Sequence, residues 1–520
     1  MMSRNRYSRW FDVLSLAFLA AILRIWGIGF DLPNLYHRDE AKYVSIPLNI
    51  LKTGDYNPHF FNYPSLFFYL LALVYVAYFL LLASQGRLGN LDSLVLPEQV
   101  LPNVVGRATM PSQFLVGRGA VVLAAVLTVI LVYYVGQKAY GRRAGAIAAL
   151  LLCVSPTHIR NSHFIAPDVT MVLLVVASFV FAYEAWAGGK RIHYVLAGAL
   201  AGLAISTKYN AYPIVFALLG AHILRSGSKG LDVNIAVGLL SSLVGFFAGT
   251  PYALLDLPGF LNGAAFELRH YGTLGDPGIE GQNALFWYAS YLVRHEGLLP
   301  LLGALQALAG LTSRNRQTLL VLCFPTAYLL FTSLGAVKND RTILAIIPFL
   351  CMLAGTLVDR LLVGLQPWLS RRDIPRAVSQ LAAGVVVSGL LVWPSWQSVQ
   401  VNMRFSRADV RTEVTEWMEV SLPSGSRIVG EYYSPLLVNS KHHFRWVDRA
   451  IDQPMEWYRQ NADYVVFVQT RYGGFYLDAP RYPAEIAAYH AMFTQFEFVQ
   501  EFQGGALGNP CTVLLYRVSS

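Results

Sequence analysis

The sequence predicts a polytopic α-helical membrane protein of about eleven transmembrane helices, followed by a small C-terminal extracytoplasmic α/β domain. Three observations lead there. Of the 520 residues 55% are hydrophobic and only 14% charged, where a soluble domain carries about a quarter charged. The apolar residues fall into blocks of roughly 20, enough to cross a hydrocarbon core of about 30 Å. From about residue 400 this texture gives way to short β-type runs between amphipathic helical patterns.

The apolar blocks run 11–29, 115–136, 144–157, 168–187, 193–207, 210–224, 233–250, 284–311, 318–334, 342–362 and 378–394. Arg4, Arg6 and Arg9 precede the first, which puts the N-terminus in the cytoplasm. No clean small-residue cleavage site comes before Asp31, so this block reads as an uncleaved anchor. One further block, 65–83, is equally apolar, and the positive-inside rule decides its place. If it does not span, the cytoplasmic loops carry Lys138/Arg142/Arg143, Lys190/Arg191, Arg225/Lys229, Arg314/Arg316 and Arg371/Arg372/Arg376. Every one is basic. Block 65–83 is therefore expected flat on, or re-entrant from, the outer face. In the alternative it spans and 144–157 does not, with the same placement from 158 onward. The expected division is 1–398 in the membrane, with 31–114 a first outer loop carrying interfacial helices, and 399–520 outside.

In the outer domain RADVRTEVTEWMEV reads as an amphipathic helix, and SRIVG, ADYVVFVQ and CTVLLYRV as strands, with helical patterns near 452–460 and 481–495. The net charge of +9 is spread in small groups between apolar blocks. It forms no aromatic-laced basic stripe, which argues against a nucleic-acid partner. Cys153, Cys323, Cys351 and Cys511 show no CxxC spacing, so neither a disulfide framework nor a zinc site is implied.

Candidate chemistry gathers in the outer segments. Asp39 and Glu40 follow the first span, where charge is expensive unless solvated or used. One of them suits a general base, although a solvated pair capping the next helix explains them equally well. His59 and Tyr63 lie in DYNPHFFNYPSL, as site lining or as headgroup anchors. SPTHIRNSHFIAPD carries Arg160, His163 and Asp168, the last at the mouth of a span as a site carboxylate or a helix cap. Lys208-Tyr209 and Lys338-Asn339-Asp340-Arg341 put cations on the outer side, where they suit a phosphate headgroup or snorkel to lipid. Arg24, near the outer end of the first span, is similar. His270 and Tyr271 lie on the long 251–283 loop, a candidate lid. Neither GxGxxG after a strand nor GxxxxGK[ST] occurs, which disfavours a nucleotide-driven pump or dehydrogenase.

The order of these features resembles the GT-C glycosyltransferases, in the branch of protein O-mannosyltransferases and lipid A aminoarabinose transferases. The matching elements are Asp39-Glu40, Pro58 to Tyr63-Pro64, Ser155-Pro156 to Asp168, TKY at 207–209, GTPY at 249–252 and KNDR…IP at 338–348. The resemblance covers roughly 10–400. It implies a bacterial or archaeal membrane enzyme that takes a sugar from a polyprenyl-phosphate donor outside the cytoplasm and inverts the anomeric carbon. Asp39 would then be the catalytic base, with Glu40 and Asp168 beside it. Lys338 and Arg341 would stabilise the leaving phosphate, and His59, Tyr63, Arg160, His163, Lys208, Tyr209 and His270 would line the substrate site. Some relatives use a divalent metal, for which Glu40, His59, His163 and Asp168 are the conceivable ligands, without convincing spacing. Departures are Tyr63-Pro64-Ser65 where relatives often have Pro-Pro, and no His-x-His loop, which speak against eukaryotic-style protein mannosylation. The acceptor stays open between lipid, polysaccharide and protein. The alternative class is a transporter or flippase of a lipid-linked substrate, which would need charges deep in the spans. An inactive relative acting as an assembly subunit is a third.

Overall fold

The computed structural model describes every residue except 1, 102–103, 228–229, 231, 274–280, 373–374, 436, 438–439, 505–510 and 520. Lys229 and the side chains of Arg4, Arg6, Arg376 and Cys511 lie outside the described residues. Helices build the chain up to Phe405. α1 (Met2–Ile25), α2 (Arg38–Thr53) and α3 (Leu66–Ser84) are followed by a hairpin of β1 (Glu98–Leu101) and β2 (Val104–Arg107). Next come α4 (Pro111–Tyr140), α5 (Arg142–Cys153), α6 (Pro156–Ser162), α7 (Pro167–Gly188) and α8 (Arg191–Thr207). A 3-10 turn over Tyr209–Ile214 leads to α9 (Val215–Ser226), α10 (Val233–Gly249), α11 (Tyr252–Leu255) and α12 (Leu257–Thr273). The series closes with α13 (Ala284–Glu296), α14 (Leu299–Thr312), α15 (Arg316–Thr332), α16 (Asp340–Ile343), α17 (Ile347–Ser370) and α18 (Arg376–Phe405).

The chain is an integral membrane protein. Among the described residues five helical stretches are long and apolar enough to cross a bilayer, Leu66–Ser84, Pro111–Tyr140, Pro167–Gly188, Asp340–Pro367 and Ala377–Ser421. Shorter apolar helices, Arg191–Thr207, Val233–Gly249 and Leu299–Thr312, stand with them. Small residues let two of these approach closely. Gly198 and Gly202 on α8 meet the backbone of Gly238 and Ser242 on α10, leaving no space for a Cβ. Such contacts replace the hydrophobic drive that is missing between helices in lipid.

Block 284–311, expected as one span, is two helices. Gly297 adopts φ 64°, which ends α13, and the Trp393 ring stands against it. α3 is continuous and apolar, and its contacts show where it runs. The Ser65 N–H donates to Thr250 Oγ1 at the end of α10, and Tyr78 OH donates to Ser112 Oγ in the first turn of α4.

Charge sorts to the two ends of the bundle. At one end Asp12 pairs with Arg142 at 2.6 Å, Lys138 with Glu184 and Arg143 with Asp359, while Arg225 donates to the Trp186 carbonyl. The segment between α1 and α3, α6 and the Lys208 and 338–341 segments gather at the other.

The cap follows a short joint. α19 (Val410–Ser421) leads to β3 (Arg427–Glu431), β4 (His443–Val447), α20 (Met455–Asn461) and β5 (Tyr464–Val468). Then come α21 (Gln469–Leu477), α22 (Pro483–Gln495), β6 (Glu497–Gly504) and β7 (Cys511–Arg517). The sheet order is β4-β3-β5-β7-β6, with β3 parallel to both neighbours and β7 antiparallel to β5 and β6. Three strands of this sheet match runs read from the sequence. β4 and β6 mix polar with apolar residues and have no such run in the sequence reading. The cap meets the 34–36 segment through Thr412, which accepts from Asn34 Nδ2 and bonds Tyr36 OH, and through Arg411 over the Tyr36 ring at 4.0 Å.

At this joint both carboxylate oxygens of Asp31 are buried without a hydrogen-bond partner. Burial pushes its carboxyl up to about 7, Asp409 adds to the shift, and Arg411 and Arg118 oppose it. A carboxyl raised above its unfolded value of about 4 contributes stability that is complete below that value. The contribution is lost as pH rises from that unfolded value through the folded one of about 7 and changes no further above it. The melting temperature in detergent should therefore fall between about pH 4.5 and about pH 7.5 by more in the wild type than in Asp31→Asn. Equal falls would refute the assignment.

Candidate active site

Glu40 and Asp39 sit in the first turn of α2 and face different ways. Arg118, one side chain from α4, closes a two-pronged pair on Glu40 at 3.0 and 2.8 Å. Its remaining nitrogen donates to the carbonyls of Ile28 and Phe30 at 2.7 and 3.0 Å, and its guanidinium lies over the Phe30 ring. The Ile165 N–H donates to Glu40 as well, at 2.9 Å. Glu40 and Arg118 are each 1% exposed. Glu40 thus ties α2, α4, the 28–30 turn and the segment leading to α7.

Successive helix residues are about 100° apart, so anchoring Glu40 turns Asp39 elsewhere. Asp39 is half-exposed and accepts from Arg341 Nη1 at 3.2 Å, across 302 positions of sequence. Burial would raise its carboxyl; the charges of His37, Arg341 and Lys42 outweigh this and hold it below the usual range. Asp168, in the first turn of α7, is buried and accepts from Lys208 Nζ at 2.7 Å. The charges of Asp168 and Asp39 both act on Arg341, as do the phenols of Tyr63 and Tyr43. Lys208 lies over the Tyr63 ring at 5.6 Å. Asp39, Asp168, Tyr63, Lys208 and Arg341 therefore form one cluster.

The other expected residues stand around it or apart from it. Arg160 pairs with Asp340 at 2.5 Å and Asn161 donates to the same carboxylate, which ties α6 to the 338–341 segment. Lys338 is buried and donates to the Ala336 carbonyl. Tyr209 OH donates to the Phe61 carbonyl at 2.9 Å. His163 lies between the carbonyls of Ile159 and Trp26, each at 2.9 Å, and stacks on Phe405 at 4.3 Å. His59 is exposed and held by Asp55 at 2.7 Å. His270 stacks on Phe266. The four residues considered as metal ligands are thus dispersed: Glu40 is held by Arg118, Asp168 by Lys208, His163 by carbonyls and His59 by Asp55. They form no ligand set.

Residues 111–251, which hold Arg118, Asp168 and Lys208, match the family described as dolichyl-phosphate-mannose-protein mannosyltransferase. Two structures of ArnT from Cupriavidus metallidurans superpose over nearly the whole chain. The one bound to undecaprenyl phosphate has TM-score 0.54 and 16% identity, covering 97% of each chain. The apo form has 0.55 and 15%, covering 98% of each. The chain has the GT-C glycosyltransferase fold. The apo oligosaccharyltransferase of Archaeoglobus fulgidus shares this GT-C fold, with TM-score 0.57 and 14% identity over 99% of this chain and 75% of that one. No curated protein sequence matches this GT-C chain.

Two elements that support this site carry only weak sequence signals. Arg118 is a lone cation inside the apolar block 115–136, and its position in a span is the available signal. Glu296, at the end of α13, accepts from Ser155 Oγ and the Thr157 N–H and so seats the start of α6. The Arg118 clamp makes a direct prediction. Arg118→Met strands a buried carboxylate and should cost about 3–5 kcal/mol, while the pair replacement Arg118→Met/Glu40→Leu recovers part of it. Denaturant unfolding in detergent measures both. A single variant as stable as wild type would refute the clamp.

Proposed function

We propose that this protein is a membrane glycosyltransferase that moves a sugar from a polyprenyl-phosphate donor to an acceptor outside the cytoplasm. The carrying observation is the convergence of Asp39 and Asp168 with Arg341 and Lys208, from segments far apart in the chain. That the ArnT and archaeal oligosaccharyltransferase structures were solved with undecaprenyl phosphate and dolichol phosphate supports the donor class. In this reading the site opens outward, and the opposite end with Arg142, Lys138 and Arg143 is cytoplasmic. The cap is then external, and α3, running from Thr250 to Ser112, lies along the outer layer.

The reaction forms a bond from an acceptor oxygen or nitrogen to the anomeric carbon while the carbon–oxygen bond to the lipid phosphate breaks, with inversion. Negative charge grows on the departing phosphate. Arg341, partly exposed beside Asp39, and Lys208, paired with Asp168, are the cations placed to meet it, and electrostatic stabilisation of this kind is worth on the order of 3 kcal/mol per donor. Asp168 keeps Lys208 charged and in place. Asp39, held ionised by the charges of His37, Arg341 and Lys42, is the base: it takes the acceptor's proton as the acceptor atom bonds to the anomeric carbon. Tyr63 lines the same wall. Arg160 and His163 act at one remove, through Asp340 and Phe405.

Turnover by purified protein against a panel of polyprenyl-phosphate sugars tests the proposal. Asp39→Asn should lose about 10²-fold or more in kcat. Equal turnover by both proteins would reject the role of Asp39. Substrate-stimulated lipid flipping with no transfer from any donor would favour the transporter.

A further inference from the structure

We infer that the cap binds a saccharide carried by the acceptor, at the edge where β3, β4 and β5 end, through Tyr432, Tyr433, Asp448 and Arg471. The inference rests on the transfer reaction above and names its acceptor class. The three strands are adjacent and parallel, so their carboxyl ends share one edge of the sheet. In sheets of this kind ligands bind outside that edge. Each strand leads directly into one part of the group: β3 into Tyr432 and Tyr433, β4 into Asp448, and β5 into the first turn of α21 with Arg471.

Short contacts join these side chains. Arg471 Nη2 donates to Asp448 Oδ1 at 2.5 Å and its Nε to the Asp448 carbonyl at 3.1 Å. The same carbonyl accepts from the Tyr432 N–H at 3.3 Å. The Arg471 guanidinium lies 5.7 Å over the Tyr432 ring, and the Tyr433 ring stands edge-on to it at 4.8 Å. Tyr433 and the Asp448 carboxylate are exposed. A sugar ring presents an apolar C–H face and a rim of hydroxyls. Tyrosine rings suit the first, and a carboxylate with a planar guanidinium suits the second. A phosphate would meet Asp448 already seated on Arg471, and a hydrocarbon chain would strand that pair without water.

The backbone marks the same place. Residues 431–434 form a turn closed by the Ser434 N–H on the Glu431 carbonyl at 2.9 Å, with Tyr433 at φ 78°. Glycine is the usual residue at such a position, and a bulky side chain there carries strain. Strain of this kind clusters at functional sites.

The edge faces the membrane part of the molecule. β6 runs parallel to β5 through β7 and ends at Gly504, where a Cβ would stand 3.5 Å from the Val410 Cβ at the start of α19. The next two residues, Arg411 and Thr412, hold Tyr36 and Asn34, just ahead of Asp39. On the α12–α13 side, a Cβ on Gly281 would stand 3.2 Å from Nη1 of Arg481 in the cap. A saccharide held at this edge is thereby presented toward α2.

The test exposes the purified full chain in nanodiscs to immobilised hexose, hexosamine and uronic-acid oligosaccharides, free or lipid-tethered, and to peptides. Wild type should retain a glycan, and Tyr432→Ala and Arg471→Met should each weaken its Kd by about 10-fold or more. Tyr433→Gly should weaken it by about 10-fold without lowering the melting temperature, since glycine suits that φ. Preference for the tethered form supports a glycolipid acceptor, and equal retention a polysaccharide. Retention of peptides in place of glycans, glycan binding untouched by the three variants, or a Tyr433→Gly protein that melts lower overturns the site. Binding needs no donor, so the two failures separate. A protein that transfers sugar yet retains no glycan overturns this inference alone, and one that retains glycan but turns over no donor overturns the transfer reading.

Discussion

The pair between Arg118 and Glu40 is the constraint on which the rest of the site depends. Both groups are almost completely buried, and an unpaired charge there would cost several kcal/mol. Arg118 satisfies four acceptor positions, two on Glu40 and one each on Ile28 and Phe30, and Glu40 adds the Ile165 N–H. These partners come from four segments, and apolar contact alone would set no rotation between them. Directional bonds do set it. With Glu40 fixed, the turn of the helix leaves Asp39 facing Arg341.

The cluster itself is built of alternating charge. Asp39, Arg341, Asp168 and Lys208 form a chain in which each carboxylate touches or feels a cation. In a region of low dielectric such a chain is self-supporting, because each charge is paid for by its neighbours rather than by water. Among the described residues the carboxylates of the cluster face a guanidinium and an ammonium instead of gathering as a ligand set. In the proposed reaction a polyanionic headgroup arriving at Arg341 would compete with Asp39 for that cation.

Much of this was legible in the sequence, for reasons that can be named. Spans showed because hydrocarbon demands long apolar runs, and the sorting of Arg142, Lys138 and Arg143 from Asp39 and Asp168 followed from loop charge. The KNDR segment and Lys208 stood out as cations on an unusual side. Side-chain partnership did not show. Asp39 and Glu40 are adjacent and chemically alike, and only the three-dimensional position of Arg118 tells the presented carboxylate from the anchored one. The break at Gly297 hid inside an apolar stretch because an isolated glycine there reads equally as helix. In the cap, β4 and β6 escaped because their residues face solvent at many positions and lack the apolar runs of β3 and β5.

The placement of the chemistry follows from the backbone. The segments that carry it are short or broken: α6 has 7 residues, a 3-10 turn follows Lys208, and α16 has 4 residues before the chain turns 3-10 again at Leu344. Interrupted helices expose backbone N–H and C=O groups, which hydrocarbon cannot satisfy. Here side chains do so. Ser155 Oγ accepts from the His158 N–H, Asn339 Oδ1 accepts from the Thr342 N–H, Glu296 accepts from the Thr157 N–H, and Tyr328 OH donates to the Thr342 carbonyl. An uninterrupted span would aim its charged residues into lipid or into another helix. Breaking it at this level and capping the broken ends lets Lys208 and Arg341 converge on one cluster, with Arg160 holding the neighbouring Asp340. The cost of irregular backbone and the ability to assemble a charged pocket are thus one structural decision, made at each of these three breaks.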